Sequence, residues 1–159
     1  MKGKTVKESR VIVSHVTLPQ DANRAGNVHG GVVMKHIDMA AAVVATRHAR
    51  SNTVTASIDK LDFFSPVFIG DLMVLKASIN MVGKSSMEIG VRVETEDLVT
   101  GKISHTASAY LTFVALDDNN RPREIPPLIL ETEEDKKRNK EALRRREIRI
   151  AVKNTTSSL

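Results

Sequence analysis

Cysteine is absent from this chain of 159 residues. Its absence excludes disulfide bonds, thiolate metal sites and a cysteine nucleophile. Tryptophan is also absent and aromatic residues make up only 3%, which leaves few side chains on which nucleic-acid bases could stack. No apolar run approaches the roughly 20 residues that cross a bilayer, and the N-terminus MKGKTVKESR has no apolar core of signal-peptide type. We therefore expect a cytoplasmic protein with no membrane span and no nucleic-acid partner.

Positive charge is concentrated near the C-terminus. The formal net charge is +5, and residues 136–149 read KKRNKEALRRREIR. A basic excess often serves polyanionic partners, so an RNA-binding or anionic-surface-binding module stays open as an alternative function. Charge runs of this length are more often the solvated faces of helices.

The spacing of apolar residues predicts an α+β domain over residues 1–120. Residues 8–17 are β-branched and end at a proline, as an opening strand does. From His29 the apolar residues recur every three or four positions, which predicts a long buried helix. Alternation then predicts four successive strands, over residues 53–63, 71–82, 86–97 and 102–116. An antiparallel sheet curving round one helix buries both apolar faces.

Residues 121–131 are rich in proline and predict a linker, and residues 132–159 predict a charged C-terminal helix with a frayed end at 155–159. Acidic residues at the start of this helix and arginines near its end complement the helix dipole. We expect Leu143 and Ile148 to pack against the folded body or against another protomer.

Asp38 lies inside the apolar stripe of the long helix, beside Ile37 and Ala41. An unpaired buried carboxylate costs several kcal/mol or changes its pKa. Asp38 therefore has two interpretations. It lies on the polar edge of the helix, paired with Lys35 or a backbone group, or it is a base or nucleophile that faces a cleft.

The same helix opens with His29, Gly30 and Gly31. Two glycines let a ligand approach the backbone closely, and free N–H groups at a helix start can stabilise an oxyanion. Structural alternatives stay open here, because asparagine such as Asn27 is a favoured helix cap and a histidine in a loop often makes a structural hydrogen bond.

The stretch DANRAGNVHGGVVMKHIDMAAAVVATRHA, followed by NTVTASIDKLDF and GKSSMEI, resembles the hotdog-fold acyl-CoA thioesterases of the bacterial acyl-CoA hydrolase and brain-type cytosolic acyl-CoA hydrolase group. The likeness covers about residues 8–117. It implies a helix wrapped by an antiparallel sheet, dimers whose sheets join, and a hexamer made of three dimers. It also implies hydrolysis of acyl-CoA to fatty acid and CoA, with Asn27 of GNVHGG and Asp38 of KHID as the functional residues. CoA is then part of the substrate and product, and no other cofactor is expected.

Spacing adds a geometric expectation to that resemblance. Asp38 follows His29 by nine residues, or roughly 13 Å along a helix. One subunit's helix start and its own Asp38 therefore cannot both touch one carbonyl, but a two-fold partner could supply the second group. We expect composite sites shared by a dimer and an inactive monomer.

The phosphates of CoA require cations and hydrogen-bond donors. Candidates are Arg47, His48 and Arg50 after the long helix, and Lys84, Ser85 and Ser86 in a turn between strands. Residues available to the acyl chain are Met34, Ala41, Val54 and Phe63. The five histidines show no ligand spacing backed by carboxylates, so no metal site is predicted.

Two further functions compete with hydrolysis. A hotdog protein could bind CoA esters without cleaving them, or act as a dehydratase in which His29 and Asp38 form the acid–base pair.

Overall fold

The computed structural model describes residues 1–156. Its strands are β1 (Lys4–Thr5), β2 (Val11–Val16), β3 (Asn52–Phe63), β4 (Leu72–Val82), β5 (Ser86–Glu96), β6 (Ile103–Leu116) and β7 (Leu128–Ile129). Its helices are α1 (Val6–Ser9), α2 (Gly30–Ala49) and α3 (Glu133–Thr156), with a short 3₁₀ turn at Pro19–Asp21. The last three residues lie outside the described part of the chain, so the predicted fraying applies within it only to Thr155 and Thr156, which belong to α3.

Five strands form one antiparallel sheet in the order β2-β4-β5-β6-β3. The alternation read from the sequence sets its two faces, since every second residue of the central strands is buried against α2. These buried residues are Met73, Leu75, Ala77 and Ile79 of β4, Met87, Ile89, Val91 and Val93 of β5, and Ala107, Ala109, Leu111, Phe113 and Ala115 of β6. The predicted α+β architecture is confirmed.

Helix α2 lies on the inner face of this sheet and contacts all five of its strands. Its buried stripe has helical spacing and consists of Val33, Ile37, Ala40, Ala41, Val44 and Ala45. Arg50 caps the helix after its last residue, Ala49. The left-handed backbone of Arg50 (φ 51°) lets its N–H reach the Thr46 carbonyl at 2.7 Å. Its opposite side exposes Met39 and Val43.

Strand β3 forms one edge of the sheet and exposes the apolar side chains of Val54 and Ile58. A long unprotected edge strand offers unpaired N–H and C=O groups to another chain. Together with Met39 and Val43 of α2, it gives this side of the molecule an apolar surface suited to a partner.

Residues 121–131 connect the sheet to α3, and two of them are buried against the body of the protein. Ile125 is buried and donates its N–H to the Lys84 carbonyl at 3.1 Å. Pro126 is also buried, and β7 pairs in parallel with β1. The proline-rich composition indicated a linker, but the apolar residues within it cover the far end of α2.

Helix α3 starts where Thr132 and Asp135 exchange hydrogen bonds, the Asp135 N–H donating to Thr132 Oγ1 at 3.0 Å and the Thr132 N–H to Asp135 Oδ2 at 3.2 Å. It lies on the outer face of the sheet. Leu143 and Ile148, expected to pack against the folded body or another protomer, are 42% and 65% exposed. The protomer's own body therefore does not cover them, and packing against another protomer stays a prediction. The outer face presents carboxylates, so α3 turns arginines toward it instead.

No helix within residues 1–156 combines the length and apolarity that crossing a bilayer requires.

Candidate functional site

The loop before α2 is tied to the neighbouring turn by backbone hydrogen bonds. The Val28 N–H donates to the Val67 carbonyl at 2.8 Å, and the His29 N–H donates to the Asp21 carbonyl at 2.8 Å. His29 is the N-cap residue of α2, but its side chain makes no capping hydrogen bond. The start of α2 is therefore positioned by its backbone.

No acceptor within residues 1–156 receives the N–H groups of Gly30 and Gly31. The first N–H groups of any helix lack partners in the preceding turn, and here no side chain takes that place. An added Cβ at Gly31 would meet no atom within 4 Å. Open space and free donors together make this helix start suitable for an oxyanion.

The Asn23 side chain accepts two backbone hydrogen bonds in the loop, and the sequence pattern did not indicate it. Its Oδ1 accepts the N–H groups of Ala25 at 2.9 Å and Asn27 at 3.2 Å. The backbone N–H of Asn23 donates to the Asn27 carbonyl at 2.7 Å. These bonds fix the carboxamide so that its Nδ2 donors remain for a ligand, since no acceptor among the described residues takes them.

A cleft of about 400 Å³ opens beside the helix start. Asn23, Asn27 and Gly30 line it, together with apolar residues that include Phe63, Phe64 and Val67. Amide donors next to an apolar wall suit a carbonyl with a hydrocarbon substituent.

Asp38 does not belong to this cleft. Its Oδ1 accepts the hydroxyl of Thr55, on edge strand β3, at 2.6 Å. The polar-edge interpretation named Lys35 as a partner, whereas the structure supplies Thr55. A short O–H···O⁻ bond orients the carboxylate, and the partly exposed Asp38 faces the side on which β3 lacks a neighbour.

Within one chain, the helix start and Asp38 are two separated parts of the candidate site. Asp38 follows Gly30 by eight residues, which is about 12 Å along the helix axis. The structure thus has one half with oxyanion donors and another with a carboxylate beside the sheet edge.

The basic candidates, predicted to follow the long helix, lie in the last turn of α2 and at its C-cap, and they have different environments. The Arg47 guanidinium donates to the Arg10 carbonyl at 3.1 Å, and Arg50 is exposed at the helix end. His48 is fully buried, and its Nε2 lies 2.8 Å from the Pro126 carbonyl oxygen. Burial lowers the pKa of His48, and the packed segment 121–131 closes it off, so a CoA phosphate does not reach this ring.

The turn at Lys84, Ser85 and Ser86 stays accessible at Lys84. The Gly83 N–H donates to the Ser86 carbonyl at 2.7 Å. A Cβ added at Gly83 would lie 3.5 Å from the Arg146 guanidinium of α3. The structure therefore brings a second cation to this turn, one that sequence spacing did not associate with it.

The residues expected near the acyl chain also differ in how far they are exposed. Met34, Val54 and Phe63 are exposed, and Phe63 lines the cleft. Ala41 is fully buried in the contact between α2 and the sheet and has no exposed surface.

Histidines do not assemble with carboxylates into a metal site. Within residues 1–156 no group of three or more possible ligands could hold a metal ion. His15 and His36 stack with their ring centroids 4.2 Å apart. Burial, aided by the neighbouring His15, lowers the pKa of His36.

Known proteins resemble the chain in sequence and in fold. The thioesterase superfamily pattern matches residues 25–102. YkhA of Bacillus subtilis, named as an uncharacterized acyl-CoA thioester hydrolase, is 43% identical over 129 residues, which are 81% of this chain and 75% of that protein. The cytosolic acyl coenzyme A thioester hydrolase of Mus musculus is 38% identical over 84% of this chain and 36% of that protein.

Two solved structures share nearly the whole architecture. A hexameric acyl-CoA thioesterase in its apo form superposes with a TM-score of 0.91, at 38% identity, over 95% of this chain and 97% of that one. The acyl-CoA hydrolase of Staphylococcus aureus, solved with butyryl coenzyme A and coenzyme A, has a TM-score of 0.90 at 35% identity, over 98% and 94%.

The staphylococcal enzyme was also solved as three alanine variants, of an asparagine, an aspartate and a threonine. In that enzyme the interval from the asparagine to the aspartate equals the interval from Asn23 to Asp38 in the present chain. The interval from its aspartate to its threonine likewise equals that from Asp38 to Thr55. Asn27 lies closer to Asp38 than this spacing allows.

Proposed function

Because this chain belongs to the hotdog-fold acyl-CoA thioester hydrolases of the thioesterase superfamily, we propose that it hydrolyses acyl-CoA at a site built from Asn23, the start of α2 and Asp38. The observation that carries the proposal is the 2.6 Å bond between Asp38 and Thr55. It joins two residues at the spacing of the aspartate and threonine altered in the staphylococcal hydrolase. Asn23 replaces Asn27 in the proposal for the same reason of spacing.

The chemistry follows from the groups in each half. The thioester carbonyl oxygen accepts hydrogen bonds from the N–H groups of Gly30 and Gly31, and Asn23 Nδ2 orients the carbonyl or the attacking water. Asp38 takes a proton from water as the water oxygen adds to the carbonyl carbon. The C–S bond then breaks and Asp38 returns the proton to the leaving sulfur, which releases the CoA thiol and the fatty acid. Direct attack by the carboxylate, followed by hydrolysis of the resulting anhydride, is the second route open to Asp38.

The two halves meet in this proposal through a dimer. Pairing of β3 with the same strand of a two-fold partner joins the two sheets and covers the apolar surface of Met39, Val43, Val54 and Ile58. Each Asp38 then faces the helix start of the other protomer, giving two sites per dimer. A hexamer of three dimers is part of the proposal, because similar thioesterases are hexameric.

We assign the CoA phosphates to Lys84, Ser85 and Ser86 together with Arg146, and leave Arg47 and Arg50 as a second cationic group. The proposal requires no cofactor beyond the CoA carried by the substrate. A cytosolic location, as in the name of the mouse relative, completes it.

Release of free thiol from a series of acyl-CoA thioesters tests the proposed reaction. We expect turnover of at least one chain length, with a thiol reagent reporting CoA as it forms. Binding of acyl-CoA without release of thiol would favour the non-hydrolytic alternative. Conversion of a β-hydroxyacyl-CoA to the enoyl thioester, again without thiol, would favour the dehydratase.

Subunit mixing tests the shared site. Asn23→Ala and Asp38→Ala proteins should each be inactive, and a mixture taken through dissociation and reassembly should recover activity. In a mixed dimer one of the two sites contains both intact residues, so about a quarter of wild-type activity is expected from random pairing.

Asn27→Ala is the matched control for Asn23→Ala. It removes the neighbouring carboxamide and leaves the bonds that Asn23 accepts from backbone groups, so it should retain most activity on its own. Verified subunit exchange without recovered activity contradicts the shared site, and an inactive Asn27→Ala protein that folds normally restores Asn27 to the catalytic group.

A further inference from the structure

The outer face of the sheet carries a row of polar side chains at right angles to the strands. Glu88 of β5 pairs with Thr112 of β6. Asn80 of β4 and Asp59 of β3 lie at register irregularities beside this pair. Asn80 Nδ2 donates to Glu88 at 2.9 Å, and the Thr112 hydroxyl donates to Asp59 at 2.6 Å. The row thus runs across four strands and ends at the β3 edge.

Helix α3 follows this row strand by strand. Asn139 donates to the Asn80 carbonyl at 3.0 Å over β4, and Arg145 donates to Glu88 at 2.7 Å over β5 while its guanidinium lies 3.7 Å from the ring centroid of Tyr110 on β6. Arg149 then donates to Asp59 on β3 at 3.3 Å. The helix reaches the edge strand at Arg149.

The length of α3 agrees with its course across the strands of the sheet. Ten residues of helix from Asn139 to Arg149 rise about 15 Å, and three strand intervals from β4 to β3 span about 14 Å. The remaining seven residues of α3, 150–156, extend about 10 Å further, which is two more strand spacings. They therefore project past the last strand of the protomer's own sheet.

This projecting end, and the turn of α3 just before it, carry apolar side chains that their own protomer leaves exposed. Ile148 is 65% exposed and Val152 is 59% exposed. They are four residues apart and lie on one side of the helix. Leu143 and Ile150, which are less exposed at 42% and 45%, lie on another side, because helical positions seven apart share a face.

We propose that the ends of the two α3 helices in a dimer cross its seam side by side and pack Ile148 against Val152 of the partner subunit. The inference rests on the dimer of the proposed function, in which two β3 edges pair, and not on any catalytic residue. A two-fold axis at that seam lies half a strand spacing, about 2.4 Å, beyond β3, which is between one and two residues past Arg149. Antiparallel helices related by an axis near residue 150 bring positions 148 and 152 into register.

The second copy is the occupant because the projecting segment continues an interface on the same edge. The overlap also seals the dimer seam on its outer face, on the opposite side of the sheet from α2 and its Asp38. Its contribution is therefore to assembly, and it leaves the catalytic groups untouched.

Single cysteines test the crossing cleanly, since the chain has none of its own. In the proposed arrangement the two copies of residue 152 are about 11 Å apart, whereas the two copies of residue 143 are more than about 20 Å apart. A bismaleimide of about the shorter length should join Val152→Cys subunits into covalent dimers and leave Leu143→Cys subunits unjoined. Both reactions are run at dilute protein on assemblies whose mass is measured by light scattering.

The outcomes separate the inference from the function on which it rests. Dimers or hexamers in which Val152→Cys fails to cross-link, or in which Leu143→Cys cross-links equally well, overturn the crossing and leave the proposed hydrolysis intact. A monomeric mass that retains acyl-CoA hydrolysis overturns both the crossing and the shared site.

Discussion

Replacing Asp38 by asparagine should lower turnover of acyl-CoA at least about a hundredfold, the low end of what a general base contributes. The change removes the proton acceptor and the nucleophile, so either chemical route is lost. Asparagine keeps a side-chain oxygen that can accept the Thr55 hydroxyl, now bonded at 2.6 Å. Folding and assembly should therefore stay unchanged, as circular dichroism and light scattering can verify.

Asp62→Asn is a matched control for Asp38→Asn. Asp62 lies on β3, the strand whose Thr55 contacts Asp38, and is paired with Lys60 at 3.5 Å. Its replacement removes one carboxylate charge from the same side of the molecule without touching the bond between Asp38 and Thr55. The Asp62→Asn protein should therefore keep nearly the wild-type turnover. Near wild-type turnover in a folded Asp38→Asn protein would remove Asp38 from the mechanism.

The sequence predicted α2 and the four long strands because local periodicity determines them. Residues that repeat every three or four positions, or every second one, show the buried face before any partner element is known. Asp38 was recognised in the same way, as a carboxylate that interrupts an apolar stripe. Its partner Thr55 was not, because the contact joins a helix to a strand across 17 residues.

Pattern reading alone does not separate Asn23 from Asn27 in their loop. Both lie in DANRAGN, and no periodicity separates them. The difference is in hydrogen bonds, since two backbone N–H groups donate to the Asn23 side chain. The motif GNVHGG drew attention to Asn27 because it adjoins the helix start, whereas Asn23 is brought to the same cleft only by the folded turn of the loop.

Two other residues, His48 and Glu88, differ from what the sequence indicated because a segment far along the chain buries them. His48 follows Arg47 and precedes Arg50, so its position indicated a cationic cluster, but Pro126 covers it 78 residues later in the sequence. Glu88 fits the outward positions of β5, where solvent is the usual neighbour. Helix α3 then covers it, leaving it 1% exposed.

Replacing Arg145 by alanine should destabilise the protein by about 3–5 kcal/mol, because Glu88 would remain buried without its cation. Arg145 makes two hydrogen bonds to Glu88, at 2.7 and 3.1 Å, and stacks on Tyr110. Although burial acts to lower it, Glu88 holds the pKa of Arg145 above its already high value. At about 2–4 °C of melting temperature per kcal/mol for a chain of this size, the loss should be near 10 °C at fixed protein concentration.

Arg138→Ala is the control for Arg145→Ala, since Arg138 pairs with Glu134 at 2.9 Å where both side chains are at least half exposed, and such pairs contribute about 0–1 kcal/mol. The double variant Arg145→Met with Glu88→Met separates the two causes of the loss. If the unpaired charge is responsible, removing both partners should restore most of the melting temperature, because two apolar side chains of similar volume cost little in that place. If the double variant stays as unstable as Arg145→Ala, the contact with Tyr110 and the ordering of α3 carry the stability instead, and the ion pair serves to set the helix in register over the polar row.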